Sequence, residues 1–132
     1  MAEISGISEI VLHVQDRERS LAFYRDLLGL NVISPADFPG PVFLQAGEGN
    51  AGIPQMIVLV SLPDASPPFQ PPSHLHHLAL EVTPDAFDAF YERFTSHGVE
   101  VRSGEHPVIP SRTMYIDDPD GNEVELICRA DG

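Results

Sequence analysis

The sequence predicts an α+β protein built from two tandem βαβββ modules that form an incomplete barrel around a cleft. Two observations carry this prediction. Alternating apolar and polar residues indicate strands in both halves of the chain, and each half also holds one amphipathic helical segment. The order of strand, helix cap, helix, glycine and strand then occurs twice, with a spacing of 68 or 69 residues. An internal repeat of this kind indicates two copies of one structural unit.

The first module is expected over about residues 4–61. Asp16 stands where a helix N-cap belongs, and Gly29 stands where a helix C-terminus favours a left-handed residue. The buried helix face is expected to contain Leu21, Tyr24, Leu27 and Leu28. Its strands are expected within residues 4–14 and at 31–34, 42–46 and 55–61.

The second module is expected over about residues 74–128, after a proline-rich connector at 62–73 that acts as a semi-rigid spacer. Thr83 is placed to cap its helix, Pro84 occupies the first helical position, and Gly98 ends it. The buried helix face is expected to contain Phe87, Phe90, Tyr91 and Phe94. Its strands are expected at 77–82, from 99, and at 113–116 and 123–128. The whole chain, 1–132, is then one domain.

Composition excludes several classes of partner. A net charge of −13 repels phosphate backbones and anionic membranes, so we expect no nucleic acid and no membrane partner. No apolar run approaches the roughly 20 residues of a membrane span. The N-terminus shows no secretion signal, and the single cysteine, Cys128, suits a reducing compartment as a buried small hydrophobe. We therefore expect a cytoplasmic protein.

Residues 104–125 form one predicted hairpin that contains several reactive side chains. Its turn, Asp120-Gly121-Asn122, tolerates the positive φ that a tight turn needs. On the strand that follows, Glu123 and Glu125 point to one side and the apolar residues to the other. Two interpretations of these carboxylates are open: they face a concavity where a metal is one possible partner, or they belong to a solvated face.

The tandem modules together with YIDDPDGNEVEL near the end resemble the vicinal oxygen chelate superfamily. This group includes glyoxalase I, type I extradiol dioxygenases, fosfomycin-resistance enzymes, methylmalonyl-CoA epimerases and bleomycin-resistance proteins. The segment DRERSLAFYRDLLGL resembles the superfamily's first helix, and DPDGN followed by EL is its commonest marker. The resemblance extends from about residue 7 to residue 128.

The resemblance implies a metal site made of Glu9, His77 and Glu125. His77 and Glu125 match the residue types of the superfamily, whereas most members have histidine at the position of Glu9. Val58 stands where glyoxalase I and the epimerases place a fourth ligand. One imidazole and two carboxylates suit Fe(II), Mn(II) or Mg(II) as the divalent metal. The alternative for Glu9 is a surface position, and His13 is expected to be structural or cavity-lining.

The spacing of Gly104-Glu105-His106, Met114-Tyr115, Asp118-Pro119-Asp120-Gly121 and Glu125 resembles the signature of extradiol ring-cleavage dioxygenases. This resemblance implies that His106 and Tyr115 line the substrate pocket and hydrogen-bond substrate oxygens or dioxygen. Imidazole suits proton transfer near neutral pH, and a phenol orients a substrate oxygen. The acid–base histidine that precedes the second module in those enzymes has only His74 and His76 as substitutes here.

Three functions follow as hypotheses. The first is a metal-dependent enzyme that acts on a small molecule with vicinal oxygens, closest to the extradiol dioxygenases and, as an alternative, a glyoxalase-like lyase or epimerase. The second is a metal-free binding protein of the bleomycin-resistance kind, in which Phe38, Phe43, Phe69 and Tyr115 meet a cationic or aromatic ligand. The third is a stress or regulatory protein with a vestigial site. The resemblance also implies a homodimer, with module pairing within or between chains left open.

Overall fold

A computed structural model of the chain describes residues 2–63, 66–68 and 75–130. It contains two compact units, Met1–Pro68 and Phe69–Gly132. Each unit holds one βαβββ module, so the predicted α+β class with two such modules is confirmed. Residues 64–65 and 69–73 of the predicted connector, which include Phe69, and also His74 lie outside the described residues.

The first unit is a four-stranded mixed sheet with one helix. Its elements are β1 (Glu9–Val14), α1 (Arg17–Leu21), a π-helical continuation of α1 (Ala22–Leu27), β2 (Asn31–Val32), β3 (Val42–Gly47) and β4 (Gln55–Ser61). The strand order is β1-β4-β3-β2, with β1 parallel to β4 and the other pairs antiparallel. The first strand of the module therefore pairs with the last one.

The first helix begins as predicted and then departs from the expected periodicity. The side chain of Asp16 accepts a hydrogen bond from the amide of Arg19, which confirms the N-cap. The helix then widens into a π-helical turn, in which the amide of Leu28 donates to the carbonyl of Phe23, five residues earlier. Because this spacing rotates the following residues, Phe23 is buried and Leu27 is only half-buried, contrary to the 3.6-residue pattern.

The second unit repeats the same topology. Its elements are β5 (Leu78–Glu81), α2 (Pro84–Ser96), β6 (Arg102–Gly104), β7 (Ser111–Asp117) and β8 (Glu123–Arg129). The strand order is β5-β8-β7-β6, with β5 parallel to β8. The second strand of this module begins at Arg102 rather than at Val99, because the chain leaving the helix first closes its C-terminus at Gly98, with φ of 72°.

The helix of the second unit is capped as the sequence predicts. Thr83 accepts a hydrogen bond from the amide of Ala86, and Pro84 is the first helical residue. Phe87 and Phe94 are buried, but Tyr91 is 50% exposed, so its predicted burial is wrong. It lies at the edge of the apolar face, about 60° from the side of Phe94 by helix geometry. Neither helix in the described part of the chain is long and apolar enough to cross a membrane.

The sheet of the second unit has two chemically different faces. The apolar face forms the core with α2 and includes Leu78, Met114, Ile116, Val124, Leu126 and Cys128. Cys128 is buried as expected. The opposite face presents the side chains that alternate with these residues, and they are mostly polar or charged. The candidate site lies on this second face.

The turn between β3 and β4 requires glycine at position 49. Gly49 has a φ of 78°, and a Cβ there would lie far inside van der Waals contact with the carbonyl oxygen of Ile53. We expect Gly49→Ala to lower the free energy of unfolding by about 2–3 kcal/mol, since it adds a steric clash to backbone strain. Urea denaturation followed by circular dichroism measures this loss.

Gly52→Ala is the matched control for this turn. Its φ is 90°, but an added Cβ would meet nothing within 4 Å. We expect only the conformational cost, about 1–2 kcal/mol. Equal losses in the two variants would contradict the steric argument.

Candidate metal centre

Glu125 is a buried carboxylate in the middle of the second sheet. It lies on β8 between Ala79 of β5 and Tyr115 of β7, and it is only 3% exposed. Its Oε2 atom is buried and has no hydrogen-bond partner among the described residues. A buried carboxylate oxygen without a donor is costly, since burial removes its hydration. The arrangement therefore calls for a positively charged or hydrogen-donating partner.

His77 provides the nearest charged or polar contact to this carboxylate. It lies two residues before Ala79, at the start of β5, and its Nε2 atom is 3.1 Å from Oε1 of Glu125. The His77 side chain is 34% exposed, so one edge of the pair faces outwards. The structure thus brings together two of the predicted ligands, the two whose residue types match those of the superfamily.

Tyr115 completes the local cluster. Its ring lies edge-on to the His77 ring, with centroids 6.0 Å apart and an interplanar angle of 77°. A Cβ added to Gly104, on the neighbouring strand β6, would lie 2.5 Å from Cε2 of Tyr115. The glycine at position 104 therefore leaves the space in which the tyrosine ring packs.

The turn that leads into β8 is held by Asp118. Its Oδ1 atom accepts hydrogen bonds from the amides of Asp120 at 2.9 Å and Asn122 at 2.8 Å, and its Oδ2 atom accepts from the Asn122 side chain. Gly121 has a φ of 85°, which confirms the turn predicted from the sequence. By closing the turn tightly, these contacts fix the register that pairs Tyr115 with Glu125.

Glu123 shares the face of Glu125 but has a partner of its own. Arg102 donates to Asp117 at 2.8 Å and 3.2 Å and to Glu123 at 3.1 Å. The hydrogen bonds to Asp117 and then to Glu123 raise the pKa of the Arg102 guanidinium above its usual value. Of the two glutamates on β8, Glu125 is therefore the one that faces a histidine rather than an arginine or lysine among the described residues.

A second grouping overlaps the first. One ligand atom from each of His76, His77 and Glu123 lies within 4.8 Å of the others. The Nδ1 atoms of the two histidines are 2.7 Å apart. Only minor roles were expected for His76 and Glu123 from the sequence. The signals that point to them are the adjacency of His76 to a ligand and the same-face spacing of Glu123 and Glu125.

The side chains on this face fit a divalent cation. His77 and Glu125 offer one imidazole nitrogen and one carboxylate, and the unpartnered Oε2 atom is an acceptor in need of a positive partner. Nitrogen and oxygen donors of this kind suit the hard and borderline divalent metals. Nothing in this donor set selects one metal among Fe(II), Mn(II) and Mg(II).

His106 lies in the exposed loop between β6 and β7. Its Nδ1 atom accepts hydrogen bonds from the amides of Val108 at 3.1 Å and Ile109 at 3.0 Å. Because Nδ1 accepts both bonds, the ring proton of the neutral imidazole is on Nε2, which is then a donor. The described hydrogen bonds of His106 thus order its own loop, and its predicted place in a substrate pocket stays a prediction.

Glu9 belongs to the first unit. It is exposed at the start of β1 and pairs with Met56 of β4, and Val11 and His13 follow it on the same face. Val58 is 2% exposed on β4 and offers no ligand atom, as the sequence implies. The ligand role of Glu9 stays a prediction.

Comparison with known families identifies the chain. Residues 6–126 match the family described as the Glyoxalase/Bleomycin resistance protein/Dioxygenase superfamily. The chain belongs to this superfamily. Its members typically bind a divalent metal, act on small molecules and are often dimeric. The His77 and Glu125 pair is therefore a candidate for a metal site of this chain.

Individual relatives show which activities occur in similar chains. A catechol-2,3-dioxygenase from Bacillus subtilis is 30% identical over 127 residues, covering 94% of this chain but only 41% of that protein. A lactoylglutathione lyase from Neisseria meningitidis serogroup A is 29% identical over 126 residues, covering 92% of this chain and 89% of that one. A glyoxalase/dioxygenase from Nostoc punctiforme has a TM-score of 0.74 at 25% identity, covering 96% and 92% of the two chains.

The burial of Glu125 generates a stability prediction. In metal-free protein, Glu125→Met removes a buried charge and leaves His77, which is partly exposed, able to reach water. We expect the free energy of unfolding to rise by about 1–2 kcal/mol, because the substitution removes the desolvation cost of a carboxylate with one unsatisfied oxygen and leaves no fully buried charge behind. Chemical denaturation in the presence of EDTA measures the change.

Glu123→Met is the matched control on the same strand and face. Its carboxylate is paired with Arg102 and is only half-buried, so we expect no gain, or a loss of up to about 1 kcal/mol. A clear loss of stability in Glu125→Met would show that the carboxylate is a structural partner of His77 rather than a ligand kept at a cost.

Proposed function

We propose that this chain is a divalent-metal-dependent enzyme that acts on a small substrate with two neighbouring oxygens, in the manner of the extradiol dioxygenases. One observation carries the proposal. Glu125 is 3% exposed, its Oε2 atom lacks a partner among the described residues, and its Oε1 atom faces Nε2 of His77. Burial of a carboxylate oxygen without a donor is costly, and a bound cation would offset that cost.

The proposed ligands are His77 and Glu125 from the second unit and Glu9 from the first. The superfamily resemblance supports Glu9, which stands on the first strand of its module as His77 stands before the first strand of the other. A divalent metal held by these groups supplies a Lewis acid that binds neighbouring substrate oxygens and stabilises negative charge on them. Three protein ligands leave coordination positions open for substrate.

Tyr115 and His106 are the proposed substrate-contacting residues. The Tyr115 hydroxyl is carried on the strand beside Glu125, with its ring against His77, so it is placed to orient a substrate oxygen. His106 offers an Nε2 proton because its Nδ1 atom accepts two backbone hydrogen bonds. A neutral imidazole that donates from Nε2 can hydrogen-bond a substrate oxygen or dioxygen.

The choice of dioxygenase over lyase chemistry depends on Val58. A glyoxalase-like lyase or an epimerase of this superfamily is expected to use a fourth ligand at that position, and a buried valine cannot supply one. The similarity to a catechol-2,3-dioxygenase supports the same choice, although the chain spans less than half of that relative. The lyase alternative is supported by a relative of nearly the same length, the lactoylglutathione lyase.

Metal content tests the proposal directly. Wild-type protein purified without chelator, or reloaded with Fe(II) or Mn(II), is expected to retain stoichiometric metal by inductively coupled plasma mass spectrometry. We expect His77→Ala and Glu125→Gln to lose it, because each removes a ligand atom from the site. Glu9→Gln tests the third ligand in the same assay. Absence of stoichiometric metal in the reloaded wild type would refute the proposal.

Two further variants make the assay specific for this ligand set. Glu123→Gln removes the neighbouring carboxylate that is paired with Arg102 and is expected to keep the metal. Glu81→Gln removes an exposed carboxylate at the end of β5 and controls for the loss of one negative charge. Loss of metal in Glu123→Gln but not in Glu125→Gln would assign the site to the His76, His77 and Glu123 grouping instead.

A second candidate function is metal-free binding of a cationic aromatic molecule. The first unit has an open apolar cavity of about 270 Å³, whose lining includes Ile33, Pro35, Phe38, Phe43 and Met56. The centroids of the Phe38 and Phe43 rings are 6.3 Å apart, the interplanar angle is 53°, and both side chains line this cavity. The net charge of −13 favours a cation.

A thermal shift assay distinguishes this candidate. If the chain is a binding protein, a cationic aromatic dye near 100 times its Kd should add about 2.7 kcal/mol of stability, with no effect of EDTA. Phe38→Ala should abolish the shift, since Phe38 lines the cavity, whereas Tyr91→Ala, an exposed aromatic on α2, should not. A melting temperature that falls with EDTA alone would favour the metal enzyme.

The remaining sequence predictions belong to this proposal. We propose that residues 1–132 act as one domain, that the protein is a homodimer like many members of its superfamily, and that it works in the cytoplasm. We also propose a small molecule as its partner, with no nucleic acid and no membrane, because the strongly negative chain repels other anions.

A further inference from the structure

The contact between His76 and His77 bears on how His77 could act as a metal ligand. The two Nδ1 atoms are 2.7 Å apart, and the rings lie edge-on with centroids 4.9 Å apart and an interplanar angle of 69°. Two imidazole nitrogens at this distance need one proton between them, since two lone pairs repel and two N–H groups clash. One histidine therefore donates and the other accepts.

The contact of the other nitrogen of His77 determines which of the two histidines carries this shared proton. Its Nε2 atom faces Oε1 of Glu125 at 3.1 Å, and an ionised carboxylate can only accept. Without a cation, Nε2 of His77 therefore carries a proton, Nδ1 accepts, and His76 donates. For Nε2 to act as a ligand it must present its lone pair, so His77 must then carry its proton on Nδ1.

We propose that His76 is a positioning residue that fixes His77 in the tautomer required for ligation, an inference that rests on the proposed metal-dependent function. A histidine at position 76 can serve both states, because its Nδ1 atom either donates to His77 or accepts from it. The change moves the shared proton from His76 to His77. The Nε2 proton of His77 passes to solvent and Nε2 of His76 takes one up, so the net proton count is unchanged.

His76 is suited to this role by its position. It is exposed, whereas His77 is half-buried, so its own Nε2 atom can exchange a proton with water. It has no place in the ligand set that the superfamily resemblance implies. A group that hydrogen-bonds the second nitrogen of a metal-binding histidine sets the orientation and basicity of that ligand, and its loss typically lowers metal affinity by about 10–100-fold.

Two substitutions separate positioning from direct ligation. His76→Phe keeps a planar ring but removes both hydrogen-bonding atoms. His76→Asn keeps an amide that donates or accepts near the place of Nδ1, but it removes the imidazole ligand. Zn²⁺ serves as the probe, because it binds imidazole and carboxylate and is diamagnetic. Isothermal titration calorimetry gives its Kd, and ¹⁵N-edited NMR of the histidine side chains gives the tautomer of His77.

In the wild type, we expect His77 to carry its proton on Nε2 in the metal-free protein and on Nδ1 after Zn²⁺ is added. His76→Phe should weaken Zn²⁺ binding by about 10-fold or more, and His76→Asn should restore an affinity close to that of the wild type. Equal losses in the two variants would make His76 a direct ligand and overturn the positioning role.

Two other outcomes overturn the inference at different levels. If Zn²⁺ binds the wild type and His76→Phe equally well, His76 has no positioning role, although the proposed metal function stands. If the wild type does not bind Zn²⁺ and also retains no Fe(II) or Mn(II), the metal function fails, and the positioning role fails with it. Because His76 is exposed, we expect both variants to keep the wild-type fold, and circular dichroism checks this.

Discussion

The parallel pairing of β5 with β8 is the constraint on which the candidate site depends. It joins the first and last strands of the second module and places Ala79 beside Glu125, so that His77 meets the same carboxylate. A parallel pair needs a crossover, and α2 supplies it while covering the apolar face of the sheet. Because side chains alternate along a strand, the polar residues of the candidate site lie on the face opposite to the core. The first module uses the identical topology, with β1 beside β4.

The charges on this face are distributed unequally between two glutamates of one strand. Glu123 is neutralised by Arg102, which also binds Asp117, whereas Glu125 is buried more deeply and faces an imidazole with one oxygen left over. Native proteins rarely keep a buried charge without a partner, and when they do, function is the usual reason. This unequal partnering supports the proposed roles, in which Glu123 pairs with Arg102 and Glu125 is a metal ligand.

Much of this organisation could be predicted from residues alone. The Asp16 and Thr83 caps, Gly98, and the turn at 120–122 each follow from local backbone chemistry, and the repeat of those signals gave the module topology. Contacts between residues that are distant in the sequence were harder to predict. The pairing of Arg102 with Glu123 and the burial of Glu125 depend on strand register, which alternation alone does not specify. The π-helical turn was missed because the pattern assumes 3.6 residues in every turn.

Gly104 has no side-chain functional group, yet it borders the candidate site. A methyl group there would collide with the Tyr115 ring, so the room that the phenol occupies exists because β6 carries a hydrogen atom at that point. The tilt of the phenol toward His77 is then adjustable from a neighbouring strand, by the size of a side chain that never meets a substrate. We expect a larger residue at this one position to change which molecules the proposed site could accept, while every polar group stays in place.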